Sequence, residues 1–180
     1  MKRAATPPDG VVAKQAVGRH LAQFNLGILR HDWDDPRVQD FVDGLDPVNE
    51  VARRSSGFVW MLGEEAMEAA QSEPTGALGG NPRTASTLSV WRDVASLENF
   101  VWNSVHKQYY ARRAAWFDAG EDRRLVMWWV PKGHRPNIDE AVQRLAHLKE
   151  AGESGQAFGW SYLKEARLFR SRQCNATAAE

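Results

Sequence analysis

The sequence predicts an α+β fold, a ferredoxin-like split βαβ sandwich, and three observations carry that prediction. Apolar residues alternate at a period of two in several short runs. Segments with helical three-and-four spacing separate those runs, and the order is strand, helix, strand, strand, helix, strand. At 180 residues, with 43% hydrophobic and 26% charged side chains, the chain has globular composition and enough length to bury a core. An antiparallel sheet carrying helices on one face accommodates these elements. Its other face, if apolar, has to be covered, and dimerisation is the usual way.

Residues 1–18 read as a flexible arm, because Thr6-Pro7-Pro8-Asp9-Gly10 comes early and no apolar period is sustained. From His20 to Leu29 the chain alternates, with Ala22, Phe24, Leu26 and Ile28 on one face and Gln23, Asn25 and Gly27 on the other. That is a first strand. His31-Asp32-Trp33-Asp34-Asp35-Pro36 sets a histidine beside three carboxylates. The spacing matches no metal-ligand motif, whereas an acidic residue before proline is what a helix start needs to accept orphan backbone N–H groups. The first helix then presents Val38, Phe41, Val42, Leu45, Val48 and Val51 or Ala52 on one face, with Asp46-Pro47 expected to kink or restart it. Phe58 to Leu62 is a short apolar second strand.

Within residues 63–85, Glu64 to Gln71 suits a short helix, and the glycine- and proline-rich remainder reads as an open loop. Thr87 to Trp91 is a third strand, after which Asp93 or Ser96 caps a long second helix running from Leu97 to Phe117. At about 100° per residue that helix separates two strips. Leu97, Val101, Ser104, Gln108, Ala111 and Ala115 form one, suited to lie on a sheet; Trp102, His106, Tyr109, Arg113 and Trp116 form a ring-lined flank.

Arg123 to Val130 is the fourth strand, so Trp128 and Trp129 point to opposite faces. Asn137 with Glu140 makes a capping-box-like start for a third helix that buries Ile138, Ala141, Val142, Leu145 and Leu148. Phe158 to Leu163 is expected to add a fifth strand. The domain is thus placed at 19–163, and residues 164–180, with Arg167, Arg170 and Arg172, read as a tail or dimer arm.

Composition narrows the function. With 23 basic and 23 acidic side chains the formal charge is zero, which offers no electrostatic case for nucleic acid or an anionic membrane as partner. The single cysteine, Cys174, rules out an internal disulfide framework and a multi-thiolate metal site, and suits a reducing compartment. No apolar run reaches the roughly 20 residues of a membrane span, and no secretory signal opens the chain, so a cytoplasmic protein is expected. Eight tryptophans, seven phenylalanines and three tyrosines imply either a core built of large rings or a pocket for a flat apolar molecule.

Several motifs in fixed order carry a family resemblance. His20-Leu21-Ala22-Gln23-Phe24-Asn25, Gly57-Phe58-Val59-Trp60, Leu88-Ser89-Val90-Trp91, Ser104-Val105-His106, Trp128-Trp129-Val130-Pro131 and Gly133-His134-Arg135-Pro136 resemble an uncharacterised bacterial family of the dimeric α/β barrel superfamily, related to the antibiotic-biosynthesis monooxygenases. The resemblance spans about residues 19 to 150. It implies a homodimer in which two sheets form a barrel, with a cavity between sheet and helices in each subunit. The superfamily includes cofactor-independent monooxygenases of aromatic polyketides, haem-degrading and haem-binding enzymes, and muconolactone-type isomerases. Asn25 matches the strand-one asparagine of the haem-degrading members, but Tyr110 falls where their helical histidine stands.

From this follow the candidate residues. His106 is either an edge histidine hydrogen-bonded to its surroundings, or a general base, or the axial ligand of a haem. Tyr109 and Arg113 either pack and solvate in the ordinary way or donate to a phenolate or carboxylate, and Asn25 either faces outward or holds an oxyanion. Trp60, Trp91, Trp102, Trp116 and Trp129 are core residues taken singly and pocket walls taken together. The expected function is a cofactor-free, monooxygenase-like reaction on a flat aromatic or polyketide-type molecule, with His106, Tyr109 and Asn25 as catalytic residues and no metal. A haem enzyme, an isomerase or cyclase, and a non-catalytic binder of a hydrophobic aromatic ligand are the alternatives.

Overall fold

In the computed structural model, residues 15–118 and 124–171 are described. The elements are β1 (Arg19–Ile28), α1 (Gln39–Arg54), β2 (Phe58–Met61), α2 (Glu64–Ser72), β3 (Thr84–Trp91), α3 (Val94–Asn103), α4 (His106–Trp116), β4 (Arg124–Pro131) and α5 (Ile138–Ala151), followed by a 3-10 turn at Trp160–Tyr162. The four strands form one antiparallel sheet in the order β2-β3-β1-β4. This is an α+β architecture compatible with the ferredoxin-like sandwich, with α2 inserted and α5 appended.

Alternation decides what each face of the sheet meets. Ala22, Phe24 and Leu26 of β1 join Leu88, Val90, Val126, Trp128 and Val130 in a core completed by Met67 of α2 and Ala141 and Leu145 of α5. Leu21, Trp91 and Met127, on the opposite face, pack with Val94, Leu97, Val101 and Trp102 of α3 and with Ala52 of α1. Trp128 and Trp129 accordingly go to different cores, as their adjacency requires. Helices therefore cover both faces within one chain. That corrects the expectation of a one-sided sheet, and the apolar face that argued for dimerisation is already buried by α2 and α5.

Other expectations are also corrected. The long helix from Leu97 to Phe117 is two helices, because Ser104 is extended (φ −114°, ψ −176°) and its hydroxyl donates to the Phe100 carbonyl and accepts from the His106 N–H. A serine side chain here takes over backbone groups that a continuous helix would use. Conversely α1 runs unbroken through Pro47. The fifth strand reduces to a single bridge, Met127 with Phe158, before the 3-10 turn. Of the presumed tail, Ala166 is fully buried and Phe169 packs against the α1/α3 core; Arg172 and Cys174 lie outside the described residues, as do residues 1–14 of the expected arm.

Capping follows the sequence closely. Asp93 accepts from the Ser96 N–H and hydroxyl at 2.8 and 2.6 Å to open α3, and Asn137 accepts from the Glu140 N–H at 2.8 Å to open α5. The acidic run before α1 is occupied by arginines. Asp35 accepts from the Arg37 backbone and guanidinium, which hold its carboxyl far below the usual range, and Asp32 pairs with Arg83 at 3.0 Å. Among the described residues no group of three or more His, Cys, Asp or Glu side chains is placed to hold a metal ion, and no helix is long and apolar enough to cross a membrane.

Candidate functional site

The junction between α3 and α4 gathers the chemistry. His106 is the first residue of α4, and its Nδ1 lies 3.3 Å from the Val101 carbonyl oxygen. A carbonyl only accepts, so Nδ1 carries the proton and Nε2 keeps its lone pair. Nε2 has no hydrogen-bond partner among the described residues and is not fully buried. Burial pushes the imidazole pKa below its ordinary value, against the smaller opposing effect of the Val101 bond. The ring is therefore neutral at pH 7 and has the form of a base.

Rings surround it. Phe100 stands 4.9 Å from His106 and stacks on Trp91 at 5.1 Å. The Trp91 indole N–H donates to the Ser89 hydroxyl, which donates to the Gln23 amide oxygen, both at 3.0 Å. A continuous chain thus runs from the sheet to the histidine. On the other side Tyr110 lies 6.4 Å from His106, edge-on to Trp102 at 4.9 Å, with the Arg113 guanidinium 3.9 Å above its ring. Trp160, from the C-terminal segment, meets Trp102 at 6.4 Å.

The nine residues singled out in the sequence divide into four places. His106, Trp102 and Arg113 meet at the junction. Trp91, Trp129 and Asn25 share the sheet face below the helices; Asn25 is exposed at the middle of a central strand, between half-buried Thr87 and Leu125, and makes no hydrogen bond to the His106 cluster among the described residues. Trp129 is half-buried against Phe158, its indole N–H unpartnered. Tyr109 and Trp116 turn toward α1, where they pack with Phe41 and Gly44. Trp60 is on the opposite sheet face.

Two of these placements have local causes. The break at Ser104 resets the helical phase between α3 and α4, so Trp102 of α3 meets Tyr110, where an unbroken helix would align it with Tyr109. A bulge between Phe58 and Trp60 makes these two residues face opposite sides although they are two apart, which removes Trp60 from the site. Sequence reasoning missed Tyr110, Phe100 and Ser89. Ser104 followed by His106 was the available signal, because serine at such a position competes with the helix for its own carbonyls.

Comparison with known proteins places this architecture in a family. The model of a domain of unknown function, DUF3291, matches residues 20–173. The chain belongs to the DUF3291 family. That match runs from β1 through the C-terminal segment. A search of curated proteins finds no match. Among solved structures, a protein of unknown function from Nitrosomonas europaea, NE2512, is similar at 14% identity and a TM-score of 0.40, over 67% of this chain and 95% of that one.

Proposed function

We propose that this DUF3291 protein is a monooxygenase-like enzyme acting on a flat aromatic or enolic small molecule, with the α3–α4 junction as its reactive site. The observation that supports this is His106, a neutral imidazole whose Nδ1–H is committed to Val101 while Nε2, set among rings, has no hydrogen-bond partner among the described residues. Nε2 takes a proton from a phenolic or enolic substrate stacked on the aromatic walls, and the resulting carbanion reduces O₂ directly. A CH₂ group and O₂ become C=O and water, with the substrate supplying the electrons.

The test is oxygen uptake with an anthrone-type phenol. The wild type should consume oxygen, and His106→Ala should lower the rate by about 100-fold or more, the usual contribution of a general base. Equal rates would overturn the reading. A second reading has the same support, because an imidazole with one nitrogen tied to a carbonyl and the other open is the arrangement of a metal-ligating histidine. A haemin titration separates the two: a Soret band that shifts in His106→Ala identifies a haem protein, and a chain that takes up no haemin leaves the cofactor-free reaction.

A further inference from the structure

We infer that Arg113 and Tyr110 form an anion-binding shelf beside His106, and that the substrate of this site is a flat aromatic acid or phenolate whose charged end Arg113 holds. This deepens the proposed function and rests on it for the reacting residue alone. His106, Tyr110 and Arg113 are four and three residues apart on α4, which places them within roughly 60° of one another on a single helix face. Tyr110 is one of the few large hydrophobic side chains left exposed among the described residues, at 38%. An exposed ring beside the His106 imidazole, backed by Trp102, is a surface that a planar ligand covers.

Arg113 supplies the charge. Its guanidinium sits over the Tyr110 ring, 3.9 Å from the centroid, and one Nη donates to the Tyr110 carbonyl oxygen at 2.6 Å. No carboxylate among the described residues pairs with it, and its Nε is buried without a hydrogen-bond partner. Its neighbour Arg112 is by contrast paired with Asp40. A guanidinium has five donors in a planar fork that matches a carboxylate, and among the described residues one of them is engaged and the Nη groups keep further donors. Stacking on Tyr110 holds the fork in place before the ligand arrives, so little side-chain freedom is lost on binding.

The experiment is calorimetric titration of the purified full chain with 2-naphthoate and with the neutral 2-naphthamide, which share a ring system and differ in charge. The wild type should prefer the acid by about 10-fold or more, Arg113→Met should bind both equally, and Arg113→Lys should keep part of the preference, since an ammonium retains the charge and loses the fork. Circular dichroism checks that each variant is folded. Equal affinity of acid and amide in the wild type, an undiminished preference in Arg113→Met, or no binding of either probe at millimolar concentration overturns the inference. His106→Ala should keep the acid preference. Loss of oxygen chemistry with that preference intact would therefore count against the proposed reaction and not against the shelf.

Discussion

The ring of Tyr109 occupies the space that a side chain at Gly44 would need, so α4 crosses α1 at a point where only glycine fits. Gly44→Ala sets two effects against each other. Helix propensity favours alanine by about 1 kcal/mol, and forcing a methyl into a filled contact costs about 1–3 kcal/mol. The built Cβ collides with the aromatic ring itself, so the second effect wins. Denaturant unfolding should show Gly44→Ala less stable, by up to about 2 kcal/mol. A gain in stability would mean that Tyr109 swings away freely.

The depressed pKa of His106 gives a pH signature. The folded state favours the neutral ring, whereas the unfolded chain takes up a proton near 6.5, so this contribution to stability is complete above pH 6.5 and is lost as pH falls from there toward the folded value. The difference in unfolding free energy between wild type and His106→Asn should therefore shrink between pH 8 and pH 5.5. A difference that stays constant would place His106 in an environment as wet as the unfolded chain.

Glu98 shows the opposite sign. Its side chain is 3% exposed, and its carboxylate accepts from the Phe169 backbone N–H at 3.0 Å, which seats the helical residues 167–171 on α3. Burial raises its pKa above 4.5 in spite of bonds from the backbone of Phe169, Leu168 and Arg167, which lower it. The folded carboxyl thus holds its proton more tightly than the unfolded one, and stability falls as pH rises through 4.5 to the folded value. Glu98→Gln, which keeps an acceptor and removes the charge, should gain on the wild type over that rise in thermal midpoint. Glu98→Ala should lose about 1–3 kcal/mol at any pH, because it leaves the part-buried Phe169 N–H without its acceptor.

These contacts also show what the sequence could and could not reveal. The strands were legible because alternation is a local property: Ala22, Phe24 and Leu26 point one way in any fold that makes β1 a strand. The caps at Asp93 and Asn137 were legible for the same reason. The site was only half legible, since a phase count assumes an unbroken helix and a flat strand, and Ser104 and the bulge before Trp60 each reset the count. Coverage of the second sheet face was not legible at all. It depends on where α2 and α5 dock, which no periodicity states. The segment after Phe158 has no period either, yet it places Leu163 and Ala166 fully in the core.

Glu140 ties together the core under α2 and α5 through two residues that no sequence pattern joins. One carboxylate oxygen accepts from the Trp128 indole N–H at 2.9 Å, the other meets His134 Nε2 at 2.7 Å, and the Glu140 N–H is held by Asn137. The first turn of α5, the turn after β4 and a fully buried tryptophan of that strand are thereby fixed by one side chain. Removing the carboxylate leaves the Trp128 N–H unpaired in an apolar core, at a cost of about 1–3 kcal/mol, whereas the half-exposed His134 contact contributes no more than about 1 kcal/mol. Glu140→Ala should therefore destabilise the chain far more than His134→Ala, and Glu140→Gln, which still accepts from Trp128, should fall between them. Equal losses in Glu140→Ala and His134→Ala in denaturant unfolding would mean that the His134 contact, and not the buried indole bond, anchors α5 on the sheet.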